Sequence, residues 1–137
     1  MRASDSSSPP VSVTQSFTVV VREVNRAPVL AAVARQTNVV GRTLTIQLSA
    51  TDEDVPVNAL SYSLELGAPT GASIDSVTGV FTWTPGPTSA MSTNSITVRV
   101  MDNGSPALSD TKSFVVVVTP PGELKLSPSV SRQASFN

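Results

Sequence analysis

The sequence predicts an all-β protein, a seven-stranded Greek-key β-sandwich. Three observations support this: apolar and polar residues alternate in short runs, turn residues separate the runs, and β-branched and hydroxyl residues dominate the composition. The 137 residues include 11 Pro and 7 Gly, and runs that favour helices are nearly absent. Half-buried strands at such close spacing pack as two sheets face to face.

The alternation predicts the individual strands and their inward faces. In residues 43–50 (TLTIQLSA) the apolar positions are Leu44, Ile46, Leu48 and Ala50, and the polar residues between them face away. The same pattern predicts three further inward sets: Leu60, Tyr62, Leu64 and Leu66; Ile96, Val98 and Val100; Phe114, Val116 and Val118. Shorter runs at residues 27–33, 72–74 and 79–84 complete the seven strands.

Composition excludes several classes of function. The chain has no Cys and no His, which excludes thiol chemistry, structural zinc and His-dependent catalytic triads within these residues. The formal net charge is −1 and no basic residues cluster, so nucleic acid is not an expected partner. No apolar run approaches the length that spans a bilayer. We therefore predict a protein that is not an enzyme and that has no transmembrane segment in this stretch.

A long internal repeat predicts the domain organisation. Residues 5–21 (DSSSPPVSVTQSFTVVV) resemble residues 102–118 (DNGSPALSDTKSFVVVV), which follow 97 positions later. The identical pairs after the two aspartates are Ser8/Ser105, Pro9/Pro106, Ser12/Ser109, Thr14/Thr111, Ser16/Ser113 and Phe17/Phe114. A repeat of this length is domain-sized. We predict that residues 1–24 are the C-terminal hairpin of a preceding repeat. Residues 25–119 form a complete domain, and residues 120–137 form a poorly ordered linker and the start of a following module.

Four strings carry a resemblance to a known family. They are EVNRAPVL (23–30), SATDEDVPVNALSYSL (49–64), IDSVTGVFTWTP (74–85) and VRVMDNGSPALSDTKSF (98–114). In this order they resemble a cadherin-like repeat of the dystroglycan-type, immunoglobulin-like form found in bacterial surface proteins. The resemblance covers nearly all of residues 23–119. It implies a cadherin/immunoglobulin-like sandwich arranged in strings, with calcium stiffening the joints between domains.

The resemblance also implies a set of calcium ligands at the joint. These are Glu23 and Asn25 in the linker, Asp52, Asp54 and Asn58 in the DEDVPVN loop, and Asp102 in MDNG. Carboxylate and amide oxygens are the ligands that calcium prefers, and two aspartates two positions apart face one side of a strand. The pattern departs from the family at Arg26, which replaces an oxygen donor, at the uncharged Gln36, and at TWTPGPTS, which replaces an acidic motif.

Two readings without calcium remain open for the same residues. Asp and Asn are also ordinary turn residues, so the acidic loop needs no metal to be solvated. Arg26 offers a cation that pairs with Asp52 or Asp54 in place of part of the ion's charge.

The functional prediction is a non-catalytic extracellular repeat of a large surface or secreted protein, acting as an adhesive or spacer module. Its expected partners are neighbouring repeats of the same chain, with other surface proteins or glycans at its tips. The alternative is a carbohydrate-binding or accessory module of a secreted enzyme, for which Trp83 and Phe81 offer either a sugar platform or core packing. Aromatic residues make up only 4% of the chain, which argues against this alternative.

Overall fold

A computed structural model describes residues 1–20 and 22–122. Its strands are β1 (Arg2–Ser4), β2 (Ser12–Thr14), β3 (Val29–Leu30), β4 (Gln36–Val39), β5 (Leu44–Gln47), β6 (Ala50–Thr51), β7 (Ser61–Leu64), β8 (Ser73–Ile74), β9 (Val80–Trp83), β10 (Thr93–Met101) and β11 (Ser109–Thr119). A short 3₁₀ helix spans Pro87–Ser89, and within the described ranges no helix has the length and apolarity to cross a membrane. Beyond residue 122, the predicted downstream module lies outside the described residues.

Strands β3 to β11 form the predicted sandwich. One sheet has the order β4-β11-β10-β7, and the other contains β3-β6 and β5-β9-β8. Backbone hydrogen bonds from Ala31 to Ser49 and from Leu48 to Gly79 continue the ladders through the break between β5 and β6. Strands β3 and β4 are two halves of the first strand of the sandwich, and each half pairs with a different sheet. Strand β3 pairs with β6, and β4 runs parallel to β11. Counted this way the sandwich has seven strands, so the predicted fold class is confirmed.

The core lies between the two sheets, where the alternation placed it. The buried apolar residues are Leu30, Leu48, Phe81, Trp83, Ile96, Val98, Val100, Phe114, Val116 and Val118. The rings of Phe81 and Phe114 meet edge to face with centroids 5.5 Å apart, which joins the two sheets. Trp83 is 1% exposed and its Nε1 donates to the Thr70 carbonyl at 3.2 Å. Core packing of Phe81 and Trp83 is therefore confirmed, and a sugar platform at these residues is excluded.

Two details differ from the predicted strands. Leu66 is fully exposed, because β7 ends at Leu64 and the chain turns at Gly67, whose φ is +96°. Strand β4 was not predicted, since its sequence QTNV lacks an apolar alternation. It is an edge strand that pairs through its backbone with β11. Its side chains therefore show little of the apolar alternation from which strands are predicted.

The N-terminal residues form a separate hairpin of β1 and β2. Its paired residues are Arg2 and Thr14, Ala3 and Val13, and Ser4 and Ser12. The end of the β10–β11 hairpin has the same register 97 positions later, with Arg99 paired to Thr111, Val100 to Asp110, and Met101 to Ser109. All described side chains of residues 1–20 are exposed. This hairpin is therefore not an inner part of the sandwich.

The turns of the two hairpins are also alike. In both, the first aspartate donates its N–H to a carbonyl six residues on, from Asp5 to Val11 and from Asp102 to Leu108. The same aspartate accepts the N–H of that later residue on its side chain, at 3.0 Å and 2.9 Å respectively. The aspartate and the later residue thus close each turn with the same pair of hydrogen bonds, although their neighbouring side chains differ.

Candidate functional site

Three segments meet at one end of the sandwich. They are the linker before β3 (residues 23–26), the loop between β6 and β7 (residues 52–58), and the turn between β10 and β11 (residues 102–108). Side-chain hydrogen bonds connect each segment to at least one of the others. We call this hydrogen-bonded region the joint.

Asp102 is the buried carboxylate of the β10–β11 turn. Its Oδ1 accepts the backbone N–H groups of Gly104 and Leu108 at 3.0 Å and 2.9 Å, as an aspartate at the start of a turn commonly does. Its Oδ2 accepts from Nδ2 of Asn25 at 3.1 Å. Burial acts to raise the pKa of Asp102, but the N–H groups of Leu108, Gly104 and Asn25 outweigh it and hold the pKa below the ordinary value.

Asn25 ties the linker to the other two segments. Its Nδ2 donates to Asp102 and also to the carbonyl of Pro106 at 2.8 Å, while its Oδ1 accepts from Nδ2 of Asn58 at 2.7 Å. The amide lies directly against the backbone of Gly104, where an added Cβ would overlap it. A side chain at position 104 would therefore have to displace the Asn25 amide.

Asp54 is the second buried carboxylate of the joint. Both its oxygens lie 3.1 Å from the backbone N of Arg26, and Oδ2 also accepts from Nδ2 of Asn58 at 2.9 Å. Its own N–H donates to Oδ1 of Asp52 at 2.8 Å. The other carboxylate oxygen of Asp52 is buried and has no hydrogen-bond partner among the described residues.

Arg26 uses its backbone and its side chain for different partners. The backbone N–H binds Asp54, whereas the guanidinium pairs with Glu53 at 2.9 Å. Both members of that ion pair are largely exposed, so it adds little to stability. The predicted pairing of Arg26 with Asp52 or Asp54 is therefore not the one observed, because the side chain extends to solvent while the main chain reaches the buried carboxylate.

The six residues predicted as calcium ligands do not all come together. Asn25, Asp52, Asp54, Asn58 and Asp102 belong to one connected set of hydrogen bonds. Glu23 lies at the same end but bonds to the main chain, where it accepts the backbone N–H of Val55, and not to the other five side chains among the described hydrogen bonds. Across residues 1–20 and 22–122, no three acidic side chains are grouped closely enough to hold a metal ion.

The donor groups of the joint do not fit a calcium ion in this arrangement. Calcium requires six to eight oxygen atoms directed at one point. Here the amide Nδ2 groups of Asn25 and Asn58 are directed at the carboxylates of Asp102 and Asp54. The unpartnered oxygen of Asp52 is a single ligand. Calcium at these residues thus stays a prediction from the sequence.

Sequence reasoning missed several residues that hold the same end of the domain. Oδ1 of Asn103 accepts the N–H of Ala59 at 2.9 Å, and Oδ2 of Asp110 accepts the N–H of Leu30 at 2.9 Å. That bond from Leu30 is the main reason why the pKa of Asp110 lies below its ordinary value. Asn is an ordinary turn residue, so the type of Asn103 does not reveal its partner, and nothing in the sequence pattern pointed to the partner of Asp110.

Solved structures with the same architecture include runs of extracellular cadherin domains. Protocadherin Gamma B2 extracellular cadherin domains 1–5 match at TM-score 0.59 and 26% identity, over 89% of this chain and 26% of that one. The mouse clustered protocadherin PcdhgC3 matches at TM-score 0.60 and 23% identity, over 86% and 41%. A nucleoside hydrolase-related hypothetical protein from Saccharophagus degradans, described as associated with carbohydrate metabolism, matches at TM-score 0.58 and 24% identity, over 69% and 26%.

These likenesses support the fold, and the chain spans less than half of each of these structures. No curated protein matches the chain. A family model described as Putative Ig domain matches residues 27–119, which is most of the chain. The resemblance to a cadherin-like, immunoglobulin-like domain is thereby confirmed, and the chain belongs to the Putative Ig domain family.

Proposed function

We propose that this chain is a non-catalytic repeat domain of a large extracellular surface or secreted protein, where it acts as an adhesive or spacer module. The observation that carries the proposal is the repeated hairpin, with Asp5 and Asp102 closing like turns and the flanking strands in the same register. A sequence that contains the end of a domain twice, about one domain length apart, is typical of a tandem array. The solved neighbours named as runs of extracellular cadherin domains support the same reading.

The proposal assigns residues 1–24 to a preceding repeat and residues 25–119 to the complete domain. Phe17 is 72% exposed and Val19 is 69% exposed, whereas their counterparts Phe114 and Val116 are buried in the core. An apolar segment whose counterpart is a core strand is expected to complete a sandwich. A neighbouring repeat of the same chain is therefore its proposed partner.

The proposal contains no catalytic step. His and Cys are absent from the sequence, and the buried carboxylates of Asp54 and Asp102 are occupied by N–H donors. General acid–base chemistry needs a titratable group within reach of a substrate, and both of these groups are instead bound inside the joint. The likeness to the nucleoside hydrolase-related protein is at 24% identity and concerns the fold.

Two finer points stay predictions. Calcium at the joint, with Glu23, Asn25, Asp52, Asp54, Asn58 and Asp102 as its ligands, is what the cadherin resemblance implies, whereas the hydrogen bonds between these side chains argue against it. Adhesion to other surface proteins or glycans is supported by the same resemblance. The carbohydrate-binding alternative is weakened because Trp83 and Phe81, its candidate platform, are buried.

Force spectroscopy of the full chain held at its two ends tests the spacer role. We expect one unfolding step that releases about 330 Å of contour, which is the extended length of residues 25–119 at about 3.5 Å per residue. The N-terminal hairpin should extend without a separate force peak, because all described side chains of residues 1–20 are exposed and form no core of their own. Extension without any step would contradict the proposal, and specific binding on a glycan array would favour the carbohydrate-binding alternative.

A further inference from the structure

We infer that this domain closes its joint with two asparagine amides in place of a metal ion, so that residues 23–26 stay docked on the sandwich without calcium. The inference concerns the linker of this chain and does not depend on the proposed adhesive or spacer role. Most of the side chains that the sequence predicts as calcium ligands are instead hydrogen-bonded to one another.

The amide protons of the joint are fully used. Asn25 and Asn58 each carry two N–H protons on Nδ2. Nδ2 of Asn25 lies 3.1 Å from Oδ2 of Asp102 and 2.8 Å from the Pro106 carbonyl. Nδ2 of Asn58 lies 2.7 Å from Oδ1 of Asn25 and 2.9 Å from Oδ2 of Asp54. Every amide proton therefore has its own acceptor, and the two amides link all three segments.

The orientation of the Asn25 amide follows from its partners. The Pro106 carbonyl and the ionised Asp102 carboxylate can only accept hydrogen bonds, so the group facing them must be Nδ2. Turning the amide over would place Oδ1 against two acceptors. A cation at the same point would need the opposite arrangement, with oxygens directed inward.

The buried charge of the joint is balanced by dipoles. Asp54 and Asp102 are each 3% exposed, and the only ion pairs among the described residues are Arg26–Glu53 and Lys112–Asp110. Backbone N–H groups of Arg26, Gly104 and Leu108, together with the two amides, donate to these carboxylates. Charge-assisted hydrogen bonds of this kind are about twice as strong as neutral ones. Asp54 and Asp102 thus have partners without a metal ion, and Oδ2 of Asp52 is the buried carboxylate oxygen of the joint that has none among the described residues.

Hydrogen exchange of the Arg26 amide in the full chain tests the inference, because that N–H donates to Asp54 only while the linker is docked. We expect the amide to be protected in EDTA, with the same protection and the same Tm at about 10⁻³ M calcium, the range of extracellular calcium modules. An unprotected Arg26 amide in EDTA would overturn the inference. So would a rise in protection or Tm when calcium is added.

Asn25→Asp is the informative variant, because it removes both donated protons and adds a carboxylate beside Asp102. We expect protection of the Arg26 amide in EDTA to fall at least about tenfold, and wild-type protection in this variant would overturn the inference. Arg26→Ala is the matched control. Its backbone N–H remains, and the guanidinium that is removed pairs with the exposed Glu53, so protection should not change. Should Asn25→Asp fail to fold, the wild-type measurements in EDTA and calcium decide alone.

Discussion

Asn25 and Asp102 lie 77 positions apart in the chain, yet the Asn25 amide donates to the Asp102 carboxylate over 3.1 Å. The contact joins the segment that precedes the first strand of the sandwich to the turn that precedes the last one. The segment before β3 is therefore docked on the end of the sandwich through Asn25 and Arg26.

Replacing Gly104 with alanine should displace Asn25. The added Cβ overlaps the carboxamide, and that amide makes three hydrogen bonds that a displaced side chain loses. We expect a loss of about 1–3 kcal/mol in the free energy of unfolding. Urea unfolding followed by the fluorescence of Trp83, the only Trp, measures it.

Gly86→Ala is the control for that variant. Nothing lies within 4 Å of a Cβ at Gly86, and its φ of −76° suits any residue. We expect a change within about 0.5 kcal/mol. Equal losses of unfolding free energy in the two alanine variants would show that the contact between Gly104 and Asn25 does not contribute to stability.

Acid should destabilise the domain through Asp102. Its pKa is lowered in the folded state, so its contribution to stability is present above the unfolded pKa of about 3.9 and is lost as the pH falls toward the folded value. Asp102→Asn should be less stable than the wild type at neutral pH, and the difference should shrink below about pH 4. Thermal unfolding across this range measures it.

Asp5→Asn gives the matched control for the acid experiment. Asp5 closes a like turn in the N-terminal hairpin, where all described side chains are exposed. At every pH, the Tm of the sandwich in Asp5→Asn should equal that of the wild type. A pH-independent difference between Asp102→Asn and the wild type would exclude the assigned role of the Asp102 carboxylate.

The two copies of the repeated phenylalanine should differ sharply on truncation. Phe114 is 4% exposed and packs on Phe81, so Phe114→Ala should cost about 3–5 kcal/mol. Phe17 is 72% exposed, so Phe17→Ala should change the stability of the sandwich by less than about 0.5 kcal/mol. Comparable losses measured by urea unfolding would mean that the segment around Phe17 is packed into this domain.

The exposed apolar segment after β2 should promote self-association. Val19 and Val20 are 69% and 73% exposed beside Phe17, and apolar strands without a partner pair with other chains. Val19→Lys should therefore reduce association, measured by light scattering against concentration. Val77→Lys is the control, since Val77 is an 80% exposed valine in a turn. Equal effects of the two lysines would assign the change to net charge.

The sequence predicted the faces of the strands well because side chains alternate with a period of two. Ile96, Val98 and Val100 are buried, as the alternation requires. Leu66 shows where this reasoning fails, since the turn at Gly67 ends the strand before the pattern ends. Strand β4 shows the opposite case, because an edge strand held by backbone hydrogen bonds needs no apolar pattern.

For the joint, the sequence predicted which residues lie together better than it predicted what these residues bind. Asn25, Asp54, Asn58 and Asp102 are brought into one set of hydrogen bonds, as their place in the motifs suggested. Residue type does not reveal which end of an amide faces a carboxylate. It also does not reveal that the backbone N–H of Arg26 reaches Asp54. Those two facts, rather than residue type, distinguish the hydrogen-bonded arrangement from the metal site that the resemblance implies.

Backbone ¹⁵N relaxation of the full chain in metal-free buffer tests most directly whether residues 23–26 are part of the domain. The account predicts an order parameter of about 0.85 for the Arg26 amide, equal to that of the β10 and β11 amides. A value below about 0.6 that rises only when calcium is added would contradict it.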